Sequence, residues 1–152
     1  MIEKDLIIRE AGEADCTQML ALIRELALYE EAPEEVTVSL EEFIDAGFGN
    51  KPVWWAYVAE YQGKIVGISL FYIRYSTWKG RRLYLEDIVV TEAMRGQGIG
   101  KKLFDTTVAY GKKHRLKGMV WQVLDWNKPA IEFYKKYKAD FDEKWLNVSI
   151  NF

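Results

Sequence analysis

The sequence predicts an α/β fold, a mixed sheet in which an antiparallel N-terminal meander is followed by a βαβ crossover, with helices on both faces. Residues 53–61, 65–75 and 82–90 are successive runs of β-branched and aromatic residues joined by short turns, which is typical of neighbouring antiparallel strands. A glycine-rich turn, a helical pattern and another apolar run follow, which is typical of a parallel crossover. The length of 152 residues suits one domain, assigned to 1–152.

The chain should open with a strand and a long amphipathic helix. Residues 6–9 form a short apolar run. Apolar residues then recur at helical spacing and predict a helix over about 13–29 with its cap near Asp15. Cys16 lies on the apolar stripe of this helix, so we expect its thiol to be buried.

A second, shorter helix should precede the meander. Ser39 and Glu42 have the spacing of a capping box, which satisfies the free N–H groups at a helix start. Glycine favours helix ends, so this helix should end at Gly47 or Gly49.

The second half of the chain should alternate between helix and strand. A helix is predicted over about 99–114, and the apolar run 119–124 predicts a buried strand. An Asn–x–Pro start predicts a helix over about 127–137. Residues 145–152 alternate between apolar and polar and predict a final strand.

Composition and charge exclude several classes of function. With 21 basic and 23 acidic residues, the chain lacks the basic excess of nucleic-acid or membrane-surface binders, so we expect neither partner. One cysteine and one histidine argue against a zinc site, and no metal is expected. The N-terminus is charged and no apolar run reaches 18 residues, which predicts a soluble, cytoplasmic protein.

A glycine-rich turn between the third meander strand and the next helix predicts a pyrophosphate cradle. Glycines let the backbone turn sharply and present N–H groups, and the helix N-terminus adds positive potential. The residues are Arg95, Gly96, Gln97, Gly98, Ile99 and Gly100, with Lys101 and Lys102 adding charge. The alternative is a helix-entry turn without a ligand. A Walker motif fails at Arg95 and Lys102, and the dinucleotide pattern fails at Lys101.

The spacing Arg95-x-x-Gly98-x-Gly100 resembles the acyl-CoA pyrophosphate motif of the GNAT superfamily of N-acetyltransferases. Four further segments are similar to the diamine (spermidine/spermine) branch, which includes enzymes that act on thialysine and related lysine analogues. They are residues 45–49, 83–87, 126–129 and 133–135. The resemblance extends from the first strand to about Trp145. It implies a GNAT-like fold and transfer of acetyl from acetyl-CoA to the amine of a small cationic acceptor. A homodimer is also implied.

The resemblance also implies roles for particular residues. Glu86 matches the general base and Tyr134 the acid that protonates the departing thiolate. Each has a structural alternative, a structural or substrate-binding carboxylate for Glu86 and a packed helical tyrosine for Tyr134; Asn127 is equally compatible with a plain helix cap. The implied acetyl-CoA contacts are Ile88, Val89, Val90, Arg95, Gly96, Gln97, Gly98, Ile99, Gly100, Lys101, Asn127 and Tyr134.

The amine site is expected to be acidic and aromatic. In a regular strand Asp87 would point to the face opposite Glu86. Carboxylates would attract a polycation, and aromatic rings would add cation–π attraction, although a solvated acidic loop explains the charges equally well. The acidic loop contains Glu30, Glu31, Glu34 and Glu35, and the expected substrate residues are Tyr29, Glu30, Trp78, Glu86, Asp87 and Trp126.

Three alternatives remain open from the residues alone: a non-catalytic acyl-CoA-binding module, an acetyltransferase for protein or peptide amines, and a nucleotide-binding protein. One residue departs from the family pattern. Lys138 stands four residues after Tyr134, at a position where the family commonly has glycine. This departure predicts a different exit from the last helix.

Overall fold

The computed structural model describes residues 2–152, so residue 1 of the predicted domain lies outside the described residues. The chain divides into two compact units, one ending at Gln122 and the other covering Val123–Phe152. The helices are α1 (Ile2–Asp5), α2 (Cys16–Tyr29), α3 (Leu40–Phe48), α4 (Ile99–Lys113) and α5 (Lys128–Lys135). The strands are β1 (Leu6–Glu10), β2 (Trp55–Tyr61), β3 (Lys64–Ser76), β4 (Gly80–Val90) and β5 (Met119–Trp121).

The five strands form one sheet in the order β1-β2-β3-β4-β5. The first three pairings are antiparallel, and β4 pairs with β5 in parallel through the crossover helix α4. The tight turn between β2 and β3 has left-handed backbone at Gln62 (φ 51°) and Gly63 (φ 77°), which suits a two-residue hairpin. The predicted meander and crossover are therefore confirmed.

Helices cover both faces of this sheet. One face carries α2 and α3, whose buried side chains include Met19, Leu20 and Phe43, and we call it the α2 face. The other carries α4, which buries Ile99 and Leu103, and we call it the α4 face. The buried thiol of Cys16 lies in the α2-face core, as predicted.

A bulge in β4 changes which residues share a face. Leu70 lies opposite Asp87, whereas its neighbour Phe71 lies opposite Leu85, so Glu86 is the extra residue. Leu70 belongs to the α2-face core, and its cross-strand partner Asp87 shares that face. Phe71 contacts α4, so Leu85 shares the α4 face.

The prediction that Asp87 points away from Glu86 is wrong. Tyr72 follows Phe71 in β3 and therefore lies on the α2 face, where its hydroxyl donates to the Glu86 carboxylate over 3.1 Å. Both acids thus lie on one face. The prediction assumed regular alternation, which the bulge interrupts.

The predicted helix starts are confirmed with one local difference. The Ser39 hydroxyl accepts from the Glu42 amide over 3.1 Å, and the helix ends against Gly49. Asp15 precedes α2 but does not cap it, because its carboxylate accepts from the Gly12 amide and binds Arg9.

The unit 123–152 contains α5 and differs from prediction at its end. The strand predicted over 145–152 is wrong, because no strand forms there and its apolar residues are exposed. Alternation marks a chain that could cover a sheet face, but a strand also needs a backbone partner. Lys138 adopts left-handed backbone (φ 57°), the conformation glycine would take, so the expected change of helix exit is also wrong.

Candidate active site

The glycine-rich turn has the backbone that its sequence predicts. Gly96 (φ 77°) and Gly98 (φ 80°) are both left-handed, and a Cβ at either position would meet no atom within 4 Å. Glycine is therefore needed for backbone conformation, and open space lies above the turn. Gly98 is the N-cap of α4, whose first-turn N–H groups have no partner within the helix. This arrangement fits the pyrophosphate of an acyl-CoA.

Arg95, at the start of the turn, is held by protein groups. Its Nε donates to the Val90 carbonyl over 2.9 Å, and its guanidinium lies 5.3 Å from the centre of the Tyr29 ring. One terminal nitrogen lies 4.0 Å from the Glu25 carboxylate. Arg95 therefore links the turn to the end of α2.

Glu25, which the sequence did not single out, fixes the segment that leads into the turn. Its carboxylate accepts from the Glu92 amide over 2.9 Å and from the Thr91 hydroxyl over 3.1 Å. With the Arg95 contact, three groups of the segment bind one carboxylate. Glu25 is the single acid of α2, but its partners lie more than sixty residues away, so no local sequence pattern indicates its role.

The other predicted acetyl-CoA residues of this unit divide by position. Val89 is buried in the α2-face core, so its side chain is committed to packing. Ile88 and Val90 pack against the α4-face core. Lys101 forms an ion pair with Asp105 over 2.5 Å along α4. Gln97 is exposed and Gly100 is partly exposed, whereas the Ile99 side chain is buried.

The charges of the Glu30 and Glu86 carboxylates act on Asp87, which lies on the α2 face. Burial, and then the negative charges of Glu86 and Glu30, raise the pKa of Asp87 to about 7. Burial also raises the pKa of Glu30. Within residues 2–152 none of the three forms an ion pair with a basic side chain. A group of acids without a counter-charge favours a cationic ligand.

Aromatic side chains border these acids. Tyr72 and Tyr84 stack with ring centres 5.2 Å apart, and Arg74 lies 5.6 Å from the Tyr84 ring. Burial, followed by the charge of Glu86, raises the pKa of Tyr72 to about 12, so its hydroxyl remains a donor at neutral pH. The sequence prediction missed both tyrosines. They lie four residues before and four residues after the Ser76–Gly80 pair at the β3–β4 turn, so regular antiparallel pairing places them opposite each other.

Other predicted substrate residues lie elsewhere. Trp78, at the tip of the β3–β4 hairpin, is 84% exposed. Of the acidic loop only Glu30 is partly buried; Glu31, Glu34 and Glu35 are exposed. The Tyr29 ring contacts the Arg95 guanidinium.

The unit 123–152 contains the remaining predicted residues. The Asn127 side chain accepts from the Ala130 amide over 3.4 Å, which confirms the predicted helix cap. The buried Tyr134 ring meets Phe133 edge-on, with ring centres 5.6 Å apart. Trp126 is 44% exposed.

Two features are absent from the described residues 2–152. No group of three or more His, Cys, Asp or Glu side chains could hold a metal ion. No helix is both long and apolar enough to span a bilayer.

The fold, the turn and the acidic group define the class of protein, an acyl-CoA-dependent acyltransferase. Residues 17–138 match the model of the Acetyltransferase (GNAT) family, and the chain belongs to that family. It is 44% identical to the thialysine N-epsilon-acetyltransferase of Bos taurus over 142 residues, 88% of this chain and 84% of that protein. It is 33% identical to the spermidine/spermine N(1)-acetyltransferase-like protein 1 of Homo sapiens over 134 residues, 84% of this chain and 19% of that protein.

Solved structures support the fold. An aminoglycoside acetyltransferase from an uncultured soil metagenomic sample, in complex with trehalose, superposes with a TM-score of 0.80 at 23% identity, over 100% of this chain and 99% of that one. An aminoglycoside N-acetyltransferase in complex with CoA gives 0.77 at 15% identity, over 97% and 95%. The protein is thus an acetyl-CoA-dependent N-acetyltransferase, and acetyl-CoA is its co-substrate.

Proposed function

We propose that this enzyme acetylates the primary amine of a small cationic acceptor, a thialysine-like amino acid or a polyamine. One observation carries the proposal: the charges of Glu86 and Glu30 act on Asp87, none of the three forms an ion pair with a basic side chain among the described residues, and burial raises the pKa of Asp87 to about 7. A bound ammonium would supply the missing charge and favour ionised Asp87. The names of the relatives support the same acceptor class.

In the proposed reaction the neutral amine attacks the carbonyl carbon of the acetyl thioester. The new C–N bond forms, the C–S bond breaks, and CoA leaves as a thiolate. Before the attack Glu86 accepts one proton from the ammonium, directly or through a water. The Tyr134 hydroxyl protonates the thiolate, the nitrogen releases its second proton to solvent as the amide forms, and Tyr134 is reprotonated from solvent. Backbone N–H groups at Ile88 and Val90 stabilise the oxyanion.

Asp87 is a second candidate for the base. A carboxyl group with a pKa near 7 matches the requirement for proton transfer at neutral pH better than an exposed acid does. We assign Asp87 to hold the ammonium and Glu86 to accept the proton. The pH dependence of kcat in Glu86→Gln and Asp87→Asn separates the two roles. Only the variant that lacks the base should lose the acidic limb of the profile.

The test is acetyl-CoA turnover on a panel of thialysine, spermidine and a lysine-containing peptide. Glu86→Gln and Tyr134→Phe should each lower kcat by about 100-fold or more while acetyl-CoA affinity stays within about threefold. Glu41→Gln and Tyr75→Phe are matched surface controls, since both residues are exposed.

The panel also addresses the competing functions. Turnover of the peptide alone would favour a protein acetyltransferase. Acetyl-CoA binding without turnover of any amine would favour a non-catalytic acyl-CoA module and overturn the proposal.

We further propose that residues 1–152 act as one acetyltransferase domain and that the enzyme is a homodimer. The family match over 17–138 crosses the boundary at Gln122, which supports one functional domain. Size-exclusion chromatography with light scattering tests the dimer, and a monomeric mass at working concentration would overturn it.

A further inference from the structure

A pocket lies away from the three acids, where β1 ends and β2 begins. Its volume is about 250 Å³. Side chains of both sheet faces line it, Tyr57 and Tyr110 on the α4 side and Trp54 on the α2 side. Glu30, Glu86 and Asp87 are not among its lining residues. The pocket is therefore separate from the proposed amine site.

Aromatic rings form most of its wall. The Phe71 ring lies 5.9 Å from Tyr57 and 4.8 Å from Tyr110, centre to centre. Trp55 lines the pocket beside them, because it pairs with Phe71 across the β2–β3 ladder. Trp55 is 40% exposed, so one aromatic side of the pocket is open to solvent.

One carboxylate completes the pocket. Glu10 pairs with Tyr57 across the β1–β2 ladder, so both side chains lie on the α4 face. After burial, the negative charge of Glu10 is the next cause that raises the pKa of Tyr57 and of Tyr110, which places that charge near both phenols. No basic side chain of residues 2–152 forms an ion pair with Glu10.

Basic side chains offset the partial negative charge at the end of α4. Tyr110 lies in the last turn of this helix with Lys112 and Lys113, and its ring stacks on His114 with ring centres 3.9 Å apart. The preference for a cation therefore comes from the ring faces and the carboxylate of Glu10. A neutral apolar ligand would use the rings but gain nothing from Glu10.

We infer that this pocket binds a small alkylammonium ion, with its methyl or methylene groups against the aromatic wall and its charge facing Glu10. The inference does not depend on the identity of the acetyl acceptor. It concerns a pocket that Glu30, Glu86 and Asp87 do not line, and it predicts binding without acetyl-CoA.

Choline and its neutral isostere 3,3-dimethylbutan-1-ol provide a matched pair of probes. Titration is followed by the backbone amide NMR signals of Tyr57, Phe71 and Tyr110 in the full chain. We expect saturable shifts with choline and at least about tenfold weaker binding of the alcohol. Equal affinity for both probes, or no saturation with choline, would overturn the inference.

Variants locate the binding. Glu10→Gln should weaken choline binding by about fivefold, and Tyr110→Leu should also weaken it by removing one ring. Glu13→Gln, an exposed acid outside the pocket, should have no effect. Acetyl-CoA turnover in Glu10→Gln should match the wild type. Choline shifts that persist in Glu10→Gln but vanish in Asp87→Asn would place choline at the amine site and overturn the inference.

Discussion

Replacing Asp87 by asparagine should make the protein more stable, and increasingly so as pH rises. Folding raises the pKa of this carboxyl from 3.8 to about 7. The folded state therefore holds the proton more tightly than the unfolded state, and stability is lost as pH rises from about 4 to about 7. Linkage gives a cost of about 2 kcal/mol at pH 5 and about 4 kcal/mol at pH 8. Asparagine carries no charge and escapes this cost.

Urea denaturation at pH 5 and pH 8 measures the effect. The stability difference between Asp87→Asn and wild type should grow by about 2 kcal/mol between the two pH values. Asp140→Asn, at an exposed position, is the control and should show no such growth. A difference for Asp87→Asn that is the same at both pH values would refute the reasoning. Spermidine should stabilise the wild type more at pH 8 than at pH 5, because its ammonium supplies the missing counter-charge.

Four further changes test the turn, the packing and the last helix. Glu25→Gln should raise KM for acetyl-CoA severalfold with kcat little changed, since it loosens the segment before the turn; steady-state kinetics with unaltered KM would contradict this. Gly98→Glu should abolish acetyl-CoA binding in calorimetry while circular dichroism shows an intact fold; normal affinity would contradict the proposed pyrophosphate cradle. Gly47→Ala should cost about 2 kcal/mol in urea denaturation, because its Cβ would lie 2.3 Å from the Trp54 ring. Lys138→Gly should raise the free energy of unfolding by about 1 kcal/mol, since it relieves left-handed backbone; a lower free energy of unfolding in urea denaturation would count against that strain.

Local patterns were enough to predict most elements of the fold. Strand-like runs and short turns alternate over 53–90 and predict the meander, and the glycine-rich turn predicts the crossover. Both predictions succeed because hairpins and helix starts depend on residues close in sequence. The strand at 145–152 failed for the opposite reason, since alternation says nothing about whether a partner strand is present.

The candidate site was predictable in composition but not in arrangement. Glu30, Glu86 and Asp87 were named from the sequence, yet the bulge that puts two of them on one face depends on how β4 pairs with β3. Glu25 was missed because its role arises from contacts with Thr91 and Glu92, more than sixty residues away. Such long-range partners leave no local pattern.

The extra residue in β4 makes one strand serve two chemical environments. Before Glu86 the strand places Leu85 on the α4 face. After it the strand places Asp87 and Val89 on the α2 face. Deleting Glu86 would restore regular alternation and leave every later side chain on its present face, because Leu85 and Asp87 already lie on opposite faces. Deletion of Glu86 should therefore remove the carboxylate while preserving the later pairing of β4 with β3, and the β3–β4 turn at Trp78 should tolerate both insertions and deletions.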